Sequence, residues 1–105
     1  MTEAALGRKI LFKLRARGGV WFPYPRTRFA SSGVSDIIGC LNGRFVAIEL
    51  KLPGEKWKPT RLQVSFIDRI IAAEGIAFIA HSWEEIEEAL SHNEYARARK
   101  RGCHG

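Results

Sequence analysis

Asp36, Glu49 and Lys51 are the residues of this chain whose types and spacing could do chemistry together. Two carboxylates crowded into a small volume repel unless something positive stands between them. A hard divalent cation fills that role, and Mg²⁺ usually takes one or two carboxylates with water and phosphate oxygens completing its shell. Such a cation polarises a phosphate and lowers the pKa of a bound water. An ammonium one strand period from a carboxylate can orient that water and stabilise the charge that develops on the phosphoryl oxygens. The chemistry expected of these three residues is metal-assisted phosphodiester hydrolysis. Glu-Leu-Lys by itself is a weak motif, more often a solvated ion pair on a strand face. Asp36 is the residue that lifts it above that reading.

The elements that must bring the three together are legible in the hydrophobic pattern. Residues 3–17 read as a helix, with Leu6, Ile10 and Leu14 in one stripe and five basic residues over most of the remaining surface. Gly18-Gly19 stops it. Residues 20–25 form a short strand frayed by Pro23 and Pro25, which favours an edge. A loop over 26–33 leads to a strand over 35–41, and Asn42-Gly43 is a strong hairpin signal joining it to a strand over 44–52. Alternation along that strand sets Phe45, Ala47, Glu49 and Lys51 on one side and Val46, Ile48 and Leu50 on the other. Thr60 and Gln63 fit a capping box opening a helix to about Ala73, with Leu62, Phe66, Ile67, Ile70 and Ile71 inward and Gly75 as its stop. Ile76–Ala80, wholly apolar, has the composition of a strand at a sheet centre. Ser82 and Glu85 fit a second capping box, for a helix to about Leu90. The order is α-β-β-β-α-β-α, an α/β fold with a mixed sheet flanked by helices.

The 105 residues suffice for one domain, expected over 1–93, followed by a basic tail over 94–105. No apolar run approaches the ~20 residues of a membrane span, and the first residues lack the pattern of a signal peptide. Cys40 and Cys103 have neither disulfide-framework nor metal-ligand spacing, so an intracellular, cytoplasmic protein is expected. The net charge is +6, with 17 basic against 11 acidic residues. Residues 1–61 hold 12 of the basic residues and four acidic ones, whereas Glu84, Glu85, Glu87 and Glu88 make the following stretch acidic. A positive field of this kind attracts polyphosphate backbones.

The series Ser32-Gly33-Val34-Ser35-Asp36-Ile37-Ile38-Gly39, then Gly43 to Lys51, then Thr60 and Gln63, resembles the VRR-NUC branch of the PD-(D/E)XK nucleases over roughly residues 3–90. The resemblance implies a restriction-endonuclease-like core, dependence on Mg²⁺ or Mn²⁺, and hydrolysis of DNA. Stand-alone members it resembles act as homodimers on branched DNA, including four-way junctions. Asp36 and Glu49 then correspond to metal ligands, joined by the main-chain carbonyl of Leu50. Lys51 corresponds to the catalytic lysine, and Gln63 to a glutamine on the following helix that lines the site. Ser35 departs from the proline in the family name, a residue that shapes backbone rather than chemistry.

Other residues carry two readings each. Glu3 is either a further metal ligand from the first helix or an acidic residue at a helix N-terminus, where the dipole favours it. Gln63 is also the capping partner of Thr60. Arg26, Arg28, Lys56, Lys58 and Arg61 are expected to hold phosphates without reading sequence. Trp57 would stack on a base, and Ser32 would contact phosphate or merely turn its loop. The alternative from a different class is a nucleic-acid-binding module with a nuclease fold and little catalysis.

Overall fold

The computed structural model describes residues 1–25, 33–54 and 58–102, with 94–102 as backbone only. Helix α1 (Glu3–Arg17) starts where Thr2 Oγ1 accepts the Ala5 N–H at 3.1 Å, a typical N-cap contact. It buries Leu6, Ile10 and Leu14 and ends at Gly18, whose N–H donates to the Leu14 carbonyl. The turn is held from outside as well, since the Trp21 indole N–H donates to the Gly18 carbonyl at 2.8 Å.

Strand β1 (Val20–Pro23) pairs antiparallel with β2 (Ile37–Leu41), which pairs antiparallel with β3 (Arg44–Leu50). Asn42 and Gly43 have φ of 51° and 80°, the paired positive values that make the tight turn between β2 and β3 match the strands' twist. Trp21 lies across from Gly39 in the β1–β2 register. A Cβ at Gly39 would collide with the Trp21 ring and the Val20 carbonyl, so only glycine lets the indole lie flat on the sheet.

Helix α2 (Arg61–Ala72) crosses over to β4 (Ile76–Ala80), which runs parallel to β3. The result is a mixed four-stranded sheet in the order β1-β2-β3-β4. Helix α3 (Trp83–Gly102) follows. One sheet face, with Ile37, Leu41, Val46, Ile48, Leu50, Ile76 and Ala80, packs on α1 and on Ile86 and Leu90 of α3 to form the core. Helix α2 lies on the opposite face. Arg17 donates to Ser91 Oγ at 3.3 Å, and the Lys13 ammonium sits 5.8 Å from the Trp83 ring centroid, tying α1 to α3. Among the described residues, no helix is long and apolar enough to cross a membrane.

Several sequence expectations are corrected. Among the described strands β4 lies at the edge of the sheet, not at its centre. Its apolar composition reflects helices on both faces rather than strands on both sides. The strands are shorter than expected at the site end: β2 starts at Ile37 and β3 stops at Leu50, so Asp36 and Lys51 lie just outside them. Helix α2 buries no residue fully. Phe66, Ile67 and Ile70 are half-buried, but Leu62 and Ile71 remain 57% and 53% exposed, because one helix on a sheet face covers only the inner arc of so wide an apolar stripe. The left-handed residue after α2 is Glu74 (φ 70°), not Gly75, and the Arg44 guanidinium donates to its carbonyl at 2.9 Å. Helix α3 continues well past Leu90, through residues expected to be a tail, because charged residues with good helix propensity extend a nucleated helix without needing a core.

Because the Trp21 ring fills the space above Gly39, Gly39→Ala should destabilise the fold by roughly 1–3 kcal/mol, the usual cost of overpacking. Urea unfolding followed by Trp fluorescence measures this. An unchanged midpoint would contradict the close approach.

Candidate active site

The alternation of β3 decides the geometry. Val46, Ile48 and Leu50 point into the core, so Ala47 and Glu49 point to the α2 face. Glu49 is only 1% exposed, and its Oε2 is buried. Ser35 is the other fully buried polar residue in the described chain, and it directly precedes Asp36. Burying a carboxylate is costly unless the surroundings answer its charge with donors or cations.

Gln63 supplies one such donor. Its Nε2 donates to Glu49 Oε1 at 3.1 Å, while its Oε1 accepts the Thr60 N–H at 2.9 Å. Thr60 Oγ1 in turn accepts the Gln63 N–H at 3.1 Å, completing the capping box. The two readings of Gln63 are therefore one arrangement. The cap uses the amide oxygen and leaves the amide nitrogen aimed at Glu49. Only this orientation of the amide satisfies both partners.

Asp36 is placed by the backbone of two neighbouring strands. Its carbonyl accepts the Tyr24 N–H at 2.8 Å, and its Oδ2 accepts the Leu50 N–H at 2.8 Å. The Lys51 N–H donates to the Ala80 carbonyl at 3.0 Å, which extends the β3–β4 ladder one residue beyond the strand. Backbone groups alternate sides along a ladder, so the Leu50 N–H and carbonyl both point away from β4, toward Asp36. The same extension keeps half-buried Lys51 on the side of Glu49. Asp36, Glu49, Leu50, Lys51 and Gln63 thus meet at one end of the sheet.

The segment leading to Asp36 is pressed against α2. A Cβ at Gly33 (φ 84°) would collide with the backbone and side chain of Leu62. Lys58 and Arg61 are exposed and flank Thr60 at the N-terminus of α2, where free N–H groups and the helix dipole favour anions. Glu3 opens α1 and is half-buried. It lies one helical turn before Gly7, whose position faces Leu50, which sets it toward the same end of the sheet. Arg26, Arg28, Ser32, Lys56 and Trp57 lie outside the described residues.

Two features escaped sequence reasoning. The Tyr24 N–H that anchors Asp36 depends on strand register, which no residue type announces. Glu85 does not close the second capping box as expected: Ser82 Oγ accepts the Glu85 N–H, but the Glu85 carboxylate turns to the N–H and ring of His81.

No protein-family model matches the chain, and no curated protein matches it. Among the described residues no three His, Cys, Asp or Glu side chains gather into a metal cage. The donor set at this end of the sheet is two carboxylates and a main-chain carbonyl, all hard oxygens, which suits Mg²⁺ or Mn²⁺ rather than zinc.

Gln63→Glu keeps an acceptor for the cap but sets a second carboxylate against Glu49. The pair raises one carboxyl pKa in the folded state. The variant should therefore be close to wild-type stability at low pH and lose stability as pH rises through that raised value. Urea midpoints at pH 5 and pH 8 in chelator test this. Equal losses at both would show that Gln63 does not face Glu49.

Proposed function

We propose that this chain is a Mg²⁺- or Mn²⁺-dependent nuclease of the PD-(D/E)XK kind that hydrolyses phosphodiester bonds in branched DNA. The observation that carries the reading is the buried Glu49 carboxylate, set beside Asp36 through Leu50 at an end of the sheet flanked by cationic side chains. Asp36, Glu49 and the Leu50 carbonyl would hold the metal, with Glu3 as a candidate addition. When bound, the metal would polarise the scissile phosphate and acidify a water. Lys51 orients the attacking water and stabilises the negative charge that grows on the phosphoryl oxygens. Gln63 keeps Glu49 turned inward, and Lys58 and Arg61 hold the backbone by charge alone. The preference for branched DNA and action as a homodimer are part of this proposal. They rest on the sequence resemblance and on the two-fold symmetry of a four-way junction. Exposed Val20 and Phe22 on β1 are the surface we assign to contact between copies.

Incubation with a four-way junction, a flap and plain duplex in Mg²⁺ or Mn²⁺ should cut the branched substrates first. Cleavage of none at low salt and high protein would overturn the proposal, and retained binding would then favour the non-catalytic binding module. Lys51→Ala should bind DNA within about threefold of wild type while cleavage falls at least ~10²-fold, the scale of losing a transition-state contact. Parallel loss of binding and cleavage would make Lys51 a phosphate anchor instead. Asp36→Asn, which keeps an oxygen for the Leu50 N–H, should abolish turnover with little change in melting temperature. Unchanged turnover would remove Asp36 from the site.

A further inference from the structure

A groove of about 620 Å³ runs along the outer edge of β4, between α2 and α3. Ile76, Ala77 and Phe78 form its floor, Ile71 of α2 stands on one wall, and Glu85, Glu88 and His92 of α3 stand on the other. Arg44 lines it too, with its guanidinium committed to the Glu74 and Gly75 carbonyls. The edge is apolar along its whole length and has none of the lysines, prolines or bulges that usually blunt a sheet edge. No described strand pairs with it.

The ladder shows which backbone groups are available. The Ala80 carbonyl accepts from Lys51, so Ala80, Phe78 and Ile76 turn their N–H and carbonyl groups toward β3. Ala77 and Ile79 therefore turn theirs away from β3, those of Ala77 into the groove and those of Ile79 toward the continuation of the same edge. Side chains of an added strand would alternate between the two walls. Those on one side meet Glu85 and Glu88, and those on the other meet Ile71.

This alternation, together with charge, selects the occupant. Glu85 and Glu88, on the acidic first turns of α3, attract cationic side chains and repel nucleic-acid phosphates. We propose that the β4 groove is a docking site for an extended basic segment of another protein, with cationic and apolar residues alternating, added to the sheet as a fifth strand. The proposal does not depend on the nuclease reading.

The test uses the full-length ¹⁵N-labelled chain and an acetylated, amidated heptapeptide alternating Lys and Val. The peptide should shift the amides of Ile76–Ala80 and slow hydrogen exchange at Ala77 and Ile79 at least tenfold, leaving Phe78 unchanged. Of two analogues, one N-methylated at every Val and one at every Lys, only one should bind, because only one edge of the peptide faces β4. Glu88→Lys, at an exposed position, should weaken binding at least tenfold and leave the melting temperature unchanged. Absence of shifts at Ile76–Ala80 up to millimolar peptide would overturn the proposal. So would equal binding of an alternating Glu-Val peptide, or concentration-dependent shifts at those amides in the chain alone, which would mark a second copy as the occupant.

Discussion

The burial of Glu49 is the constraint on which the rest of this structure depends. A strand that alternates must send every second residue to the α2 face, and the Glu49 position is covered almost completely there. A carboxylate in that position needs donors, and the first turn of α2 provides one by spending a single glutamine on both its own cap and the carboxylate. The same need accounts for the closeness of Gly33 to Leu62, since any side chain at residue 33 would push the helix start away from the sheet. Asp36 is held by the other edge of β3, through the one N–H at its end that β4 does not use. The Asp36 carboxylate is thereby tied to the main chain of the residue next to Glu49, while the Glu49 carboxylate is held by the Gln63 amide.

Helix α2 bears the consequences. It is strongly amphipathic, yet none of its residues is fully buried. Its inner arc is committed to the sheet and its N-terminus to Glu49, leaving Leu62 and Ile71 on opposite flanks. Leu62 meets the segment before Asp36, while Ile71 forms a wall of the groove along β4. The acidic start of α3 faces that groove, whereas Lys58 and Arg61 stand beside the carboxylates.

The parts of this arrangement that sequence reveals are those governed by local rules. Helix α1 follows from the spacing of Leu6, Ile10 and Leu14, and the β2–β3 turn from Asn42-Gly43. The strand period alone separates Glu49 from Ile48 and Leu50, and so places it off the core. What sequence leaves hidden is set by register and layer coverage. Nothing in the residue types says that Tyr24 reaches Asp36, or that the Leu50 N–H serves a carboxylate instead of a strand. An apolar strand reads the same whether other strands or helices cover it, so the edge position of β4 is invisible until the order is known. The length of α3 is hidden for a related reason, because its later turns carry no apolar period to read.

The central claim is that Asp36, Glu49 and the Leu50 carbonyl together hold a divalent metal. Substoichiometric Mn²⁺ added to the ¹⁵N-labelled chain tests it directly, because paramagnetic broadening falls steeply with distance from the ion. The amides of Asp36, Ile37, Glu49, Leu50 and Lys51 should broaden first, and Asp36→Asn should abolish the effect. Broadening centred on the acidic residues of α3, or uniform weak broadening across the surface, would contradict it.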